Sequence, residues 1–161
     1  MKETLVQLFG TYSHTIIFIH VLSAIIWVGG MIAIRLAVHP ALMSISDTKL
    51  RLKKLLAITG RFFNIVIPFI TLLFITAIIM AMGMKFNETI YMTHIKEGIW
   101  TVMTINFIAM YIIRVKAQNF FDNNRLADAK LTLVIIPKVL LPINIVLGIV
   151  AIWLGVSLRG F

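Results

Sequence analysis

Apolar residues gather into four long runs, at 15–38, 63–84, 96–115 and 131–158, separated by shorter stretches that hold most of the charges. At about 1.5 Å per helical residue each run can cross roughly 30 Å of hydrocarbon. The pattern predicts an all-α integral membrane protein, an antiparallel four-helix bundle running up-down-up-down. The first run is too long for the apolar core of a signal peptide and no small-residue cleavage pattern follows it, so it reads as a retained helix. With no repeat of fixed period and no long linker, residues 1–161 read as a single four-span domain.

Between the first two runs Ser46 or Asp47 can cap a helix in which Leu52, Leu55, Leu56 and Thr59 recur at helical spacing, and Gly60 can end it. This predicts a short basic amphipathic helix in the first connection, its basic face against anionic head groups. The alternative is that the same residues only extend the second span.

Composition agrees with the runs. A mean hydropathy of +1.00, with 60% hydrophobic and 13% charged residues, is too apolar for a soluble domain. The net charge of +9 would raise nucleic acid as a partner in a soluble protein, yet here it sorts by side. Arg35, Lys49, Arg51, Lys53, Lys54 and Arg61 against Asp47 give +5 in the first connection. Arg114, Lys116, Arg125 and Lys130 against Asp122 and Asp128 give +2 in the third, whereas residues 1–14 and 85–98 balance to zero. The positive-inside rule puts the first and third connections in the cytoplasm and both termini outside, and leaves no reason to expect nucleic acid.

The chain has no Cys, nine Met and four His. Disulfides, thiolate metal sites and covalent C-x-x-C-H haem attachment are excluded. The phosphate-loop, dinucleotide, zinc-protease and serine-hydrolase motifs are absent too, as is a carboxylate pair within the spans.

Intramembrane ionisable residues face a bundle interior or a cavity, so they lead the search for chemistry. His20 sits about 8 Å inside the first span, on one face with Ala24, Trp27, Met31, Ile34 and Val38. Gly29, Ala33 and Ala37 form an opposite small-residue ladder that would admit another helix. His94 opens the third span and shares a face with Glu97, Gly98, Thr101, Ile108 and Tyr111, with Thr104 at its edge. Two imidazoles from different helices at similar depth are what a non-covalent haem b needs for axial ligation. The alternatives are a His20 that donates to a backbone carbonyl and a His94 that is merely interfacial. His14 and His39 are weaker ligands, at opposite surfaces.

Lys138 lies about 10 Å inside the fourth span between Pro137 and Pro142. It reads either as an anion site or as a side chain snorkelling to the interface. Asn106, and the small and polar face of Asn144, Gly148, Ala151 and Gly155, predict interhelical packing and hydrogen bonds. Met80, Met84, Met92 and His94 are soft enough for Cu(I), with Met82 turned away; flexible packing is the other reading of these methionines.

The stretch from His20 through Trp27 to Gly29 and Gly30, followed by Arg35 and His39, resembles the first helix of two related four-helix membrane families, the CopD-type copper-resistance domain and the HemJ-type protoporphyrinogen oxidase. In both, a His stands seven residues before a Trp that is followed by Gly. His94, Ile95 and Lys96 resemble the His-x-Lys at the entrance to a later HemJ-type helix. Arg35 matches when Gly29 is the aligned glycine, and the fourth span departs, with Ile136, Pro137 and Lys138 in place of an Asn-Glu-x-Pro-like segment.

The resemblance implies haem b, and on the CopD side copper handling. Its first implied function is a haem-b-binding redox protein of a bacterial-type inner membrane. His20 and His94 would be axial ligands, Trp27 and Tyr111 would wall the pocket, and Arg35 or Lys96 would meet a propionate. Such a protein is either an oxidoreductase of the protoporphyrinogen oxidase type or an electron carrier, with a porphyrin or quinone as partner besides lipid. The second reading is a copper transfer module using Met80, Met84, Met92 and His94; the third is a structural subunit. Homo-oligomerisation is left open.

Overall fold

The computed structural model describes residues 2–83 and 90–157, and these are almost wholly helical. Four of its helices are long and apolar enough to cross a membrane. The first, α1, runs from Lys2 to Met43; α2 is Thr48–Gly83, α3 is Ile90–Asp122, and α4 runs from Leu126 to Ser157.

Contacts across the bundle set the topology. α1 and α2 meet through His20 with Thr76 and Gly30 with Phe62, and α2 and α3 through Phe74 with Trp100 and Phe63 with Tyr111. α3 and α4 meet through Asn106 with Asn144 and Lys96 with Gly155, and Val28 of α1 touches Gly148 of α4. In every pair one number rises as the other falls. Neighbours are therefore antiparallel, the up-down-up-down order expected from the four runs.

The helices are longer than the apolar runs. α2, at 36 residues, is about 54 Å long and α3, at 33, about 50 Å, well beyond a hydrocarbon core of about 30 Å. Hydropathy marks only the part of a helix that meets lipid. The rest is held by apolar faces that meet one another outside the membrane, where Leu52, Leu55 and Leu56 of α2 are buried with Leu42, Ala117 and Leu133.

This corrects the separate amphipathic helix of the first connection. Asp47 does cap, its Oδ1 accepting from the Lys49 and Leu50 amides at 2.8 and 3.2 Å, but the helix passes through Gly60 without a break. Gly60 is buried inside a contact, so no chain end forms there.

Three stretches are π-helical: Ile25–Gly29 and Ile34–Val38 in α1, and Ile136–Leu140 in α4. Two of them adjoin prolines. Pro40, Pro137 and Pro142 each lack the N–H that an α-ladder needs, which loosens the ladder nearby. The wider turns show as bonds five residues back, from the His39 amide to the Ile34 carbonyl and from the Leu141 amide to that of Ile136. The first stretch contains no proline; within it Trp27 and Val28 are buried side by side.

The interior is a stack of large side chains. Trp27 packs edge-on against Phe107 at 6.1 Å, Phe107 against Phe63 at 5.2 Å, and Phe63 against Tyr111 at 6.3 Å. Outward positions are apolar as well, among them Phe18, Leu36, Ile105, Ile112, Val146 and Trp153, while Ser23, Thr59, Thr76 and Asn144 are buried. An apolar exterior over a partly polar interior is what a lipid solvent selects.

Candidate functional site

His20 and Thr76 form the first feature of the site. Thr76 donates its hydroxyl proton back to its own helix, to the Leu72 carbonyl at 2.7 Å, with that of Leu73 at 3.1 Å. Its oxygen therefore acts as acceptor toward His20 Nδ1, 2.9 Å away. In this pair Nδ1 is then the donor. Metal-ligating histidines are commonly fixed through the other ring nitrogen in this way.

Beside and below this pair the interior holds polar atoms with no partner. Trp100 stacks on Phe74 at 4.8 Å, two residues along α2 from Thr76, and its Nε1 is buried without an acceptor. One turn further along α3, Thr104 Oγ1 is buried and unpartnered, and so is Trp27 Nε1 against Phe107. Buried donors are normally satisfied by protein, water or ligand, and three orphans within about two helical turns of His20 set this half of the bundle apart.

The structure does not bring His94 to the same place. Its Nδ1 lies 3.0 Å from Glu97 Oε2, and both side chains are more than 60% exposed. Glu97, Gly98, Thr101, Ile108 and Tyr111 are exposed too, so the face of α3 expected to turn inward is turned outward. Met103, Phe107 and Met110 occupy the interior instead, because these bulky groups fill the space between four helices better than the Gly, Thr and Glu of His94's face. In α1 the expected face holds: Trp27, Met31 and Ile34 are buried with His20 half-buried among them. The Gly29, Ala33 and Ala37 ladder faces outward, with no atom within 4 Å of a Cβ built on Gly29, so among the described residues no helix packs on it there.

The other expected residues separate into two ends. Lys96 reaches across the His94 end, where its Nζ lies 3.4 Å from a Cβ built on Gly155 of α4. Arg35 is about 22 Å along α1 from His20, which separates it from the propionates of any macrocycle whose iron is held there. It lines a shallow cleft with His39, Leu55, Thr59, Leu133 and Pro137. Lys138 is exposed, as its snorkelling reading expects. Tyr111 touches the aromatic stack through Phe63 rather than walling the His20 layer.

Met80 is half-buried and Met82 exposed, at the same end of the bundle as His94. Met84 and the side chain of Met92 lie outside the described residues. Among the described residues no three His, Asp or Glu side chains gather as a metal site. Around His20, then, an imidazole held by Thr76 lies beside buried polar atoms that have no protein partner.

Two features were not foreseen from the residues alone. Thr76 gave no signal, since a threonine in an apolar run is ordinary until its partner across the bundle is known. Trp100, four residues before Thr104 on α3, could have been found as a polar-capable member of the same stretch.

No family model matches the chain, and no curated protein or solved structure shows significant similarity to it.

Proposed function

We propose that this chain is a haem-b-binding redox protein of a bacterial-type inner membrane, with both termini outside the cytoplasm and His20 as the principal axial ligand. The observation that carries the reading is the His20–Thr76 hydrogen bond, which holds the ring through Nδ1 in the way metal-ligating histidines are commonly oriented. The orphaned Trp27 Nε1, Trp100 Nε1 and Thr104 Oγ1 support it as groups that a bound molecule would meet.

Bound there, haem would supply one-electron exchange at a potential set by its axial ligands and its dry surroundings. The chain's own residues hold the imidazole, exclude water through the Trp27, Phe107 and Phe63 stack, and offer Lys96 as the cation at the same end. His94 would hold the group together with His20 only if it left Glu97 and α3 turned; otherwise His20 would hold it alone. Protoporphyrinogen oxidation and electron transfer to a quinone are both chemistries of such a site.

The test is the absorption spectrum of the full chain purified from its native membrane, with His20→Ala and His94→Ala. The expected result is a Soret band lost in His20→Ala. In His94→Ala a change to a high-spin spectrum assigns two ligands and an unchanged spectrum assigns one. Spectra that ignore His20→Ala would overturn the reading.

A second reading, Cu(I) transfer by Met80, Met84, Met92 and His94, is favoured by Met80 and His94 lying at one end of the bundle. Metal analysis under reducing conditions separates it, since it requires copper on haem-free protein. Neither metal nor haem after gentle purification would leave the structural-subunit reading.

A further inference from the structure

We propose that the seam between α2 and α3 at the basic end of the bundle binds the phosphate headgroup of an anionic phospholipid, and that Arg114 is the residue that recognises it. Arg114 reaches from α3 and lays its guanidinium against Gly60 of α2, where an added Cβ would overlap Nη2 and stand 2.7 Å from Cζ. Only a residue without a side chain lets the fork lie this close to the α2 backbone. There Nη2 donates to the Leu56 carbonyl oxygen at 3.2 Å and to Gln118 Oε1 at 3.3 Å.

Both acceptors are neutral. Among the described residues the ion pairs are His94 with Glu97 and Arg125 with Asp128, so no carboxylate touches the half-buried Arg114; Asp122 meets it only through Gln118, whose Nε2 donates to Asp122 Oδ1 at 2.8 Å. Arg114 Nε is sealed in without an acceptor, and Nη1 makes no hydrogen bond to the described residues. A guanidinium has five N–H donors, and here most of them lack a protein partner. The N–H groups left open are those of Nη1, and they call for a charged acceptor, which phosphate is.

Depth selects the source of that phosphate. Gly60 is about 24 Å along α2 from the Thr76 layer, and His20 lies about 8 Å inside the opposite surface, which brings the Arg114 guanidinium to the edge of a hydrocarbon core of roughly 30 Å. Tyr111, one turn toward the membrane centre, is 37% exposed and is the kind of side chain that settles at this boundary. Lys53, Arg61 and Lys116 are exposed at the same end. A basic seam between helices at headgroup level is a seat for an anionic lipid rather than for a soluble ion. The inference is independent of whether His20 holds haem.

The test uses the full chain in neutral detergent, with native mass spectrometry reading bound phosphatidylglycerol against phosphatidylcholine. One phosphatidylglycerol is expected to be retained in preference. Arg114→Gln is expected to weaken that retention by about fivefold or more, the contribution of roughly one cation at a membrane surface. Lys54→Gln, which removes the same charge from an exposed site on α2, is expected to change it less than about twofold. Arg114→Lys keeps the charge without the fork and falls between; it decides the matter if Arg114→Gln fails to fold. Equal losses in Arg114→Gln and Lys54→Gln, or no preference in the unaltered chain, would overturn the proposal. So would displacement of the lipid by inorganic phosphate, which would assign a free-anion site.

Discussion

Thr76 controls the chemistry of His20 without being a ligand to anything. A histidine in a membrane interior is a donor and an acceptor at once, and which nitrogen does which depends on its partner. Because the Thr76 proton is spent on the Leu72 carbonyl, the imidazole must donate from Nδ1. Thr76→Val should leave that N–H unmatched and lower stability by about 1–3 kcal/mol, whereas Thr76→Ser should keep most of it. Denaturant titration of the two variants in detergent micelles checks the difference; equal stability would mean that the bond does not hold the ring.

His20 was legible in the sequence because an ionisable residue inside an apolar run is costly wherever it sits. His94 was equally visible, but not the direction in which it points. Helical periodicity says which residues share a face and is silent on which face turns inward. On α3 that was settled by the volumes of Met103, Phe107 and Met110.

At the scale of elements, α3 and α4 are joined by a reciprocal clasp in mid-bundle. Asn106 Nδ2 donates to the Leu140 carbonyl at 2.8 Å and to Asn144 Oδ1 at 2.7 Å, and Asn144 Nδ2 donates to the Met103 carbonyl at 3.1 Å. Each amide thus caps backbone on the other helix as well as its partner's side chain. Directly alongside, the absence of a side chain at Gly148 lets Val28 approach to 2.6 Å of where a Cβ would stand, which brings α1 onto α4 at the same level. Interhelical polar contacts in membranes contribute about 0.6 kcal/mol on average and up to about 1.7. Asn144→Leu should therefore cost on the order of 1–2 kcal/mol. The Asn106→Leu and Asn144→Leu double variant should cost less than the sum of the singles, because the second change removes groups already unpaired. Strict additivity in unfolding experiments would show the two amides to be independent.

The clasp was half legible. Asn106 and Asn144 stand out as amides in apolar runs, and both were expected to bond between helices. Their pairing also depends on the widened turn at Ile136–Leu140, which sets the phase of α4 below Asn144. Pro137 and Pro142 give a reason for such a turn, but a proline can also be absorbed without one, as Pro68 is inside α2.

Across the whole molecule the charges divide the bundle into a basic end and a near-neutral one. The exposed Lys49, Lys53, Lys54, Arg61, Lys116, Arg125 and Lys130 lie on or near the connections at one end. In the orientation proposed from the positive-inside rule, that end would be the cytoplasmic one. The cysteine-free chain allows a direct check with a single introduced thiol. In intact cells Thr11→Cys should react with a membrane-impermeant maleimide and Asn123→Cys should react only after permeabilisation, since both positions are exposed at opposite ends. The reverse pattern would invert the orientation.

What the sequence determined by itself was the solvent, the number of spans and their alternation. Those follow from long-range averages of hydropathy and charge, which the free energy of moving apolar and charged groups between water and lipid reads directly. What only the tertiary structure decided was the rotation of each helix about its axis, the continuity of α2 through Gly60, and the partners of the polar residues. These depend on how side-chain volumes fit between four particular helices. A one-dimensional pattern names the residues that must be satisfied, and packing chooses what satisfies them: Thr76 for His20, the Leu56 carbonyl for Arg114 and Asn144 for Asn106.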